Sequence, residues 1–309
     1  MKICFLGVGG VGGYFGTIIT DKFKDKHDIY FVARGGHKNA ICANGLTLKK
    51  SGGEQIINVM PTLCTDNVDD LPICDIVFLA VKGYDLAEAA KSLNKISNEK
   101  TIILPLLNGV DIYERIREYL VTGIVLPSCV YIGTHIESTG VIFQKGGNCN
   151  IFIGKDPNFP DFYPDSLFGL LKDSNIDFEW DSAIEVAIWS KYMFIAAYGL
   201  VTATYNKTLG EILENSELSQ KTKAIMCEIE QIATKMNVTL NSDIVETSFL
   251  KGKQFPYETK TSFQRDVESK GKINEIDLFG GTLIRYGEHY NIMIPNIRNV
   301  FDLFMEKMK

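Results

Sequence analysis

Residues 2–16 of this 309-residue chain, with the sequence KICFLGVGGVGGYFG, carry the strongest signal of its fold class. The stretch has the pattern of a short apolar strand, a glycine-rich turn and the start of a helix. Its spaced glycines form GxGxxG, which is a weak signal alone and a strong one in a strand–turn–helix context. There the glycines allow a tight turn, close approach of a pyrophosphate and close helix–strand packing, while the helix N-terminus attracts phosphate. The predicted phosphate-binding loop consists of Gly7, Gly9, Gly10, Val11 and Gly12.

The segments after this loop carry strand and helix patterns in alternation. Three further apolar runs of strand length lie in residues 27–36, 74–85 and 100–111, and each ends in polar or glycine residues. Continuous apolar runs are typical of strands buried on both faces of a parallel sheet. Neighbouring segments such as DLAEAAKSLNKI and DIYERIREYL have helical periodicity, so the sequence predicts βαβ units. This context favours a dinucleotide-binding loop over a glycine-rich turn that binds nothing.

The pattern changes from about Leu126. Residues 128–154 have the pattern of antiparallel strands with glycine turns, which we expect to extend the same sheet. A helix over PDSLFGLLKDS and a short strand at IDFEW follow, and only helical patterns come after Asp181. We therefore expect an α/β fold with a Rossmann-type domain over residues 1–181 and an all-α domain over residues 182–309.

The composition argues against several classes of protein. A net charge of −6 and the lack of a long basic run argue against non-specific nucleic-acid binding. Seven scattered cysteines and four histidines lack the spacing of a metal site, so we expect no metal. Dispersed cysteines of odd number fit a reducing compartment, and the cytoplasm is the expected location. Glycine interrupts the apolar N-terminal stretch too early for a signal peptide.

One helical stretch, AIEVAIWSKYMFIAAYGLVTAT over residues 183–204, approaches the length of a membrane span. Glu185 and Lys191 interrupt it, so a buried core helix is the better interpretation. Lys191 then needs an explanation, because burying an unpaired ammonium is costly. Either its long stem carries the charge to the surface, or the folded protein uses an amine at this position.

The end of the second strand bears on the choice of cofactor. NAD sites usually carry an acid there, whereas NADP sites tend to carry an arginine. The sequence FVARGGHKN has Arg34, with Lys38 nearby, and no acid. It predicts NADPH with Arg34 against the 2′-phosphate, the alternative being an ordinary solvated arginine. Lys82 and Asn108 follow two other strands at the edge where ligands bind, although a surface lysine and an Asn-Gly turn would show the same pattern.

A set of motifs along the chain carries a resemblance to a known family. In order they are FLGVGGVGGYFG, VARG, AVKGYD, LLNGV, WSKY, SFQRD and NEID. Together they resemble the ketopantoate reductases (2-dehydropantoate 2-reductases) over essentially the whole chain. The resemblance implies a Rossmann domain and a helical domain like that of 6-phosphogluconate dehydrogenase. It also implies reduction of a small 2-oxoacid, ketopantoate, by NADPH on the route to pantothenate. From the net charge and the interrupted apolar helix we expect no nucleic-acid or membrane partner, and the sequence leaves a homodimer open.

The same resemblance assigns roles to individual residues. Lys191 in WSKY matches the family's catalytic lysine, which would protonate the carbonyl oxygen as hydride arrives. Glu275 in NEID would hold substrate or ribose and provide a counter-charge for the lysine. Lys82 and Asn108 match a strand-end lysine and asparagine that are expected to bind the cofactor, and Asn108 is also expected to bind the substrate. Ser262 in SFQRD matches a substrate-contacting serine. A helix cap at Ser262 and a first-turn carboxylate at Glu275 are the alternatives.

One departure from the family pattern concerns the substrate. Typical members have asparagines four and eight positions after the lysine, where this chain has Ile195 and Gly199. At helical spacing these positions share a face with the lysine. A site that loses hydrogen-bonding partners loses discrimination for a polar substrate. Tyr198 and Thr202, on or near that face, are candidates to compensate.

A second departure concerns the glutamate. The spacing from SFQRD to NEID is one residue longer than usual, which leaves Asn274 and Asp277 as alternatives to Glu275.

The departures leave alternatives to ketopantoate reduction open. One is an NADPH-dependent reductase of a less polar 2-oxoacid, and the other is a non-catalytic NADP-binding protein.

Overall fold

The structure, a computed structural model, describes residues 1–52, 56–270 and 273–309. The chain forms two compact units. The first unit contains Met1–Leu107 and Ile112–Ile184, and the second contains Asn108–Asp111 and Glu185–Lys309. The boundary expected near residue 181 lies close to this division, whereas the sequence pattern did not indicate that Asn108–Asp111 belongs with the second unit.

Strands dominate the first unit. They are β1 (Lys2–Leu6), β2 (Asp28–Val32), β3 (Leu46–Lys50), β4 (Ile56–Val59), β5 (Leu63–Thr65), β6 (Ile76–Leu79), β7 (Ile102–Pro105), β8 (Ile124–Val125), β9 (Ser128–Tyr131), β10 (Thr134–Ser138), β11 (Val141–Gln144), β12 (Asn150–Ile153) and β13 (Phe178–Trp180). The helices of this unit are α1 (Gly10–Phe23), α2 (Gly35–Asn44), α3 (Leu86–Ile96), α4 (Ile112–Arg117) and α5 (Asp165–Asp173).

Six of these strands form a fully parallel sheet in the order β5-β2-β1-β6-β7-β8. This is the strand order of a Rossmann fold. From β1 the chain first adds strands on one side, to β2 and β5, and then returns to add β6, β7 and β8 on the other side. Apart from the edge strand β5, these strands are almost entirely buried, as their continuous apolar runs predict. Phe5 and Phe78 on neighbouring strands, for example, stack with 4.6 Å between ring centroids. The α/β fold class predicted from the sequence is confirmed.

The strands after Leu126 do not extend this sheet, so that expectation is wrong. β10 and β11 join β3 and β4 in a four-stranded sheet, while β9, β12 and β13 form a three-stranded one. Packing on α1 explains the separation of the four-stranded sheet. A Cβ atom at Gly13 of α1 would lie 2.7 Å from Ile142 of β11 and 3.6 Å from Leu46 of β3. The apolar side chains of β3 and β11 therefore cover α1 instead of continuing the edge of the parallel sheet.

The described residues of the second unit form helices, turns and loops, with no strand among them. Its helices are α6 (Ile184–Tyr205), which begins at the division between the units, α7 (Leu209–Glu214), α8 (Ser216–Lys235), α9 (Ile244–Lys251), α10 (Ser262–Lys270), α11 (Thr282–Tyr290) and α12 (Pro295–Lys307). A π-helical turn, Asp277–Gly281, runs directly into α11.

Helix α6 forms the centre of the second unit. It is long and apolar enough to cross a membrane by length and composition alone. Its side chains pack instead into the hydrophobic core of the unit, where Trp189, Tyr192 and Met193 are almost fully buried. A helix that is apolar on all sides is expected in such a core position. The packing of α6 therefore agrees with its interpretation as a core helix.

A buried carboxylate of α8 anchors the start of α12. Glu228 accepts hydrogen bonds from the backbone N–H groups of Asn296 and Ile297, each at 2.8 Å, and from the Asn296 side-chain amide at 2.7 Å. Pro295 opens the helix, where its missing N–H leaves no donor unpaired. The Glu228 carboxylate thus satisfies donors at the N-terminus of α12, and its charge is favourable there.

Glu228→Gln is expected to lower the stability of the second unit by about 1–3 kcal/mol. One carboxylate oxygen would be replaced by an amide nitrogen, which cannot accept the hydrogen bond that a backbone N–H group now donates to that oxygen. Thermal unfolding should show a lower Tm. Glu230→Gln on the same helix is the matched control, since Glu230 is partly exposed, and it should leave the Tm unchanged. Equal Tm values for the two variants would contradict the anchoring role of Glu228.

Candidate active site

The glycine loop between β1 and α1 leaves no room for side chains at two of its positions. Gly7 has φ +99°, a left-handed conformation, and a Cβ there would lie 2.7 Å from the backbone of Ala80. A Cβ at Gly12 would overlap the carbonyl oxygen of Gly7. Only glycine fits these close approaches of loop, helix and β6. The local structure is the strand–turn–helix that the sequence pattern predicts.

The same loop fits the phosphates of a dinucleotide. α1 begins at Gly10, and the position before it is Gly9, which has no side chain with which to cap the helix. A Cβ at Gly9 would have no heavy atom within 4 Å among its described surroundings, so a ligand can approach the backbone there. At Gly10, in contrast, a Cβ atom would lie 2.8 Å from backbone atoms of Thr134, so this position has no room for a side chain. An open helix N-terminus of this kind favours an anion.

Arg34 lies where the sequence places it, directly after β2 and at the N-cap of α2. Its side chain is 68% exposed and forms an ion pair with Asp85 at 2.8 Å. Lys38, one turn into α2, pairs with Asp66 at 2.9 Å. Exposed pairs of this kind contribute only about 0–1 kcal/mol, so a phosphate dianion can compete for both cations. The sequence did not reveal Asp85, because this acid comes from the loop after β6 and not from the end of β2.

His37 lies in the first turn of α2 and was not singled out from the sequence. Its Nδ1 accepts a hydrogen bond from the backbone N–H of Gly140 at 3.0 Å, in the turn between β10 and β11. Burial lowers the pKa of this imidazole. His37 is therefore neutral at pH 7 and connects α2 to the four-stranded sheet.

Lys82 and Asn108 follow adjacent strands of the parallel sheet but fall in different units. Lys82 is half-buried in the first unit, after β6, and precedes a 3-10 turn over Gly83–Asp85. Asn108 follows β7 and groups with the second unit. The backbone of Gly109 has φ +140°, which glycine adopts readily. The Asn-Gly pair therefore also has the backbone role that the alternative interpretation assigns to it.

Lys191 of α6 has a specific partner in the second unit. Its Nζ donates a hydrogen bond to Oδ1 of Asn108 at 2.6 Å, and both residues are half-buried. Charge-assisted bonds of this type are short and strong. The amine in this apolar helix is therefore held by a side chain 83 residues earlier in the chain.

The three acidic or amide candidates around NEID have different environments. Glu275 is 6% exposed, whereas the Asp277 side chain is 55% exposed and pairs with Arg285 at 2.6 Å. The Asn274 oxygen accepts from the backbone N–H of Ile276 at 3.0 Å. Glu275 directly precedes the helical stretch, and its carbonyl accepts the first helical hydrogen bonds, so a carboxylate placed at a helix N-terminus stays an alternative for it. A buried carboxylate also needs polar partners that a solvated one does not. Burial thus favours Glu275 over Asp277, whereas Asn274 is also buried, at 9% exposed, and its oxygen is already bonded to the backbone.

Ser262 is the first residue of α10 and is exposed. The cap of this helix is instead Thr261, whose Oγ1 accepts from the backbone N–H of Gln264 at 3.2 Å. The helix-cap interpretation of Ser262 is therefore wrong. The next residue, Phe263, lies 3.7 Å from the Cβ position of Gly199, which puts the start of α10 beside α6.

Lys191, Ile195 and Gly199 follow each other at four-residue spacing along one face of α6, about 6 Å apart per step. Tyr198 does not compensate for the missing asparagines, because its hydroxyl donates to the Phe249 carbonyl at 2.7 Å inside the core. Thr202 is also fully buried, with its hydroxyl bonded to Thr261 at 2.8 Å. The expectation of compensation is therefore wrong, and Ile195 and Gly199 give this face an apolar character.

Two family models match the chain. The model of ketopantoate reductase PanE/ApbA matches residues 3–158, and that of the ketopantoate reductase PanE/ApbA C terminal matches residues 183–308. The matches divide between the two units in the same order as the α/β and helical folds.

Proteins of similar length also match over nearly their whole sequence. The chain is 25% identical to the uncharacterized oxidoreductase YkpB of Bacillus subtilis, with 97% of each chain covered. It is 24% identical to a 2-dehydropantoate 2-reductase of Archaeoglobus fulgidus, with 98% of this chain and 96% of the relative covered.

Solved structures show the same fold. A PanE/ApbA family ketopantoate reductase from Ralstonia eutropha JMP134 has a TM-score of 0.88 at 22% identity, covering 100% of this chain and 98% of the other. A D-mandelate dehydrogenase, solved with NADH and anilino(oxo)acetate, has a TM-score of 0.86 at 17% identity with the same coverage. At such identities the likeness establishes the fold alone.

Proposed function

This chain belongs to the ketopantoate reductase family, and on that premise we propose that it reduces 2-dehydropantoate (ketopantoate) to pantoate with NADPH. It is an oxidoreductase of the ketopantoate reductase type. The observation that carries the proposal is the 2.6 Å hydrogen bond from Lys191 to Asn108, because it supplies an oriented proton donor. We place the reaction in pantothenate and coenzyme A biosynthesis in the cytoplasm.

In the proposed reaction the nicotinamide, when bound, supplies a hydride to C2 of the 2-oxoacid. Lys191 donates a proton to the carbonyl oxygen, so that an alcohol forms instead of an alkoxide. Asn108 accepts a hydrogen bond from the ammonium and fixes its direction before the transfer. The neutral amine that remains takes up a proton from water before the next turnover.

The remaining predicted residues bind and orient. The buried carboxylate of Glu275 supplies a negative charge for the ammonium of Lys191 or accepts from a hydroxyl of substrate or ribose. Ser262 at the start of α10 contacts the substrate. In the first unit the glycine loop and Lys82 hold the cofactor, and Arg34 binds the 2′-phosphate that distinguishes NADPH from NADH. These roles stay predictions, as does assembly into a homodimer.

A second substrate is favoured by the apolar face of α6. The side chains at Ile195 and Gly199 offer no hydrogen bond to the hydroxyl of ketopantoate. The hydroxyl groups of Tyr198 and Thr202 are already bonded inside the core. A 2-oxoacid with a hydrocarbon side chain would lose nothing on such a face. We therefore keep reduction of a less polar 2-oxoacid as the second candidate, with the same cofactor and the same lysine.

Steady-state kinetics with two matched substrates separate the candidates. 3,3-Dimethyl-2-oxobutyrate has the carbon skeleton of ketopantoate without the 4-hydroxyl group. Our first proposal expects a higher kcat/KM for ketopantoate, since a site that binds a hydroxyl rejects the analogue that lacks it. A higher kcat/KM for the deoxy analogue would establish the second candidate instead.

Ile195→Asn is expected to raise the ratio of kcat/KM for ketopantoate over that for the deoxy analogue by about tenfold, the effect of one added hydrogen bond. The amide would stand one turn from Lys191 on the same face of α6. Ile195→Leu is the matched control and should leave the ratio unchanged. An unchanged ratio in Ile195→Asn would show that this face does not contact the substrate hydroxyl.

A further inference from the structure

The segment Asn108–Asp111 carries a polar side chain at each end. Asp111 is 8% exposed, and its Oδ2 accepts a hydrogen bond at 2.9 Å from the hydroxyl of Thr282. The two residues are 171 positions apart in the chain. An aspartate directly before a helix such as α4 commonly caps that helix. Capping alone would not need a buried partner from α11.

Thr282 connects Asp111 to a wider polar cluster. Arg285 Nη2 donates to the hydroxyl of Thr282 at 3.1 Å, and the hydroxyl in turn donates to Asp111. Arg285 also pairs with Asp277 at 2.6 Å and lies 3.8 Å from the Asp111 carboxylate. Successive hydrogen bonds of this kind polarise and strengthen one another.

The cluster holds the segment that follows Glu275. Asp277 opens the π-helical turn, and Thr282 is the first residue after it. A second tether joins this turn to α6, since the hydroxyl of Tyr192 donates to the carbonyl of Leu278 at 2.6 Å. Tyr192 is the neighbour of Lys191 in the sequence. Turns of π-helix inside α-helices are frequent at functional sites.

These contacts form a closed ring that includes the proposed proton donor, Lys191. From α6, the ring runs through Tyr192 to the π-helical turn, through Thr282 to Asp111, and through Asn108 back to Lys191 on α6. Three side-chain hydrogen bonds join elements that are distant in sequence, and the chain itself completes the ring within the π-helical turn and within Asn108–Asp111. Loss of one link would leave the Asn108 segment attached to the second unit by fewer contacts.

We propose that Asp111 and Thr282 are positioning residues that hold the Asn108–Asp111 segment so that Asn108 orients Lys191. This inference rests on the proposed function of Lys191. Neither residue is assigned a contact with substrate or cofactor. Their effect on the reaction passes through Asn108.

Thr282→Val tests the inference, because it removes the hydroxyl while keeping nearly the same shape. We expect kcat to fall about tenfold, the effect of one lost hydrogen bond to a charged group, with KM for NADPH unchanged. Thr282→Ser restores the hydroxyl and should restore kcat. The matched control is Thr222→Val in α8, another fully buried threonine, which should keep the wild-type kcat.

A double variant distinguishes positioning from a general loss of stability. If Thr282 acts through Asn108, Asn108→Ala combined with Thr282→Val should be no slower than Asn108→Ala alone. Additive losses of kcat, or a kcat of Thr282→Val equal to that of the wild type, would overturn the inference. Unrescued activity in Thr282→Ser would also overturn it.

A readout without turnover separates this inference from the proposed function. Acetic anhydride modifies free amines, and mass spectrometry measures the rate at Lys191. We expect faster modification in both Thr282→Val and Asn108→Ala, because the amine loses its fixed partner. A wild-type rate in Thr282→Val would overturn the positioning role. Faster modification in a protein that reduces no 2-oxoacid would leave the positioning role standing while the proposed function fails.

Discussion

Replacing Lys191 by alanine is expected to lower kcat for the best 2-oxoacid by about 10²–10⁴-fold, the usual contribution of a positioned general acid. The reason is that the carbonyl oxygen would have to take its proton from water. The affinity for NADPH should not change, because Lys191 is not among the residues predicted to bind the cofactor. The measurements are steady-state kcat and a fluorescence titration with NADPH.

Two further variants make the Lys191 result specific. Lys191→Arg keeps the positive charge but supplies a guanidinium that does not release its proton near neutral pH, so its kcat should also be low. Lys235→Ala in α8 removes an exposed lysine and should have no effect. Full activity in Lys191→Ala would rule out the proposed mechanism. NADPH binding by a wild-type protein that reduces no 2-oxoacid would support the non-catalytic alternative.

Arg34→Ala is expected to lower kcat/KM for NADPH by roughly tenfold to a hundredfold, the range for losing a hydrogen bond to a charged group. The value for NADH should stay the same, because NADH has no 2′-phosphate for the guanidinium to bind. Lys207→Ala removes a partly exposed lysine of the second unit and serves as a control. A wild-type preference for NADH would contradict this assignment.

A substitution at Asp85 provides a second test of the predicted preference for NADPH. Its carboxylate lies 2.8 Å from Arg34 and would meet the 2′-phosphate as a like charge. Asp85→Asn should therefore raise the preference for NADPH over NADH, and high salt should reduce the difference because the pair is exposed. A lower preference for NADPH in Asp85→Asn would mean that the acid supports Arg34 instead of competing with phosphate.

Much of the fold could be predicted because its signals are local. The parallel strands are continuous apolar runs, and the glycine loop needs residues without side chains at Gly7 and Gly12 for steric reasons. Helix α6 is apolar on every side, and its central position follows from that pattern. Lys191 and Asn108 could be singled out by sequence motif, although only the structure shows that they are bonded to each other.

The parts that could not be predicted depend on contacts between distant residues. The sequence shows that residues 128–154 contain strands, but their partners follow from how Leu46 and Ile142 cover α1. The hydroxyls of Tyr198 and Thr202 are near the expected face of α6, yet each is bonded inside the core. Asp85 and Thr282 have no motif of their own, and their roles arise from where other elements place them.

The fate of the transferred hydride tests whether this protein reduces ketopantoate with NADPH. NADPH deuterated at both C4 positions would be mixed with the wild-type protein and ketopantoate, and the product analysed by mass spectrometry. The proposed function predicts pantoate with one deuterium on C2. Unlabelled pantoate, or consumption of labelled NADPH without pantoate, would contradict it.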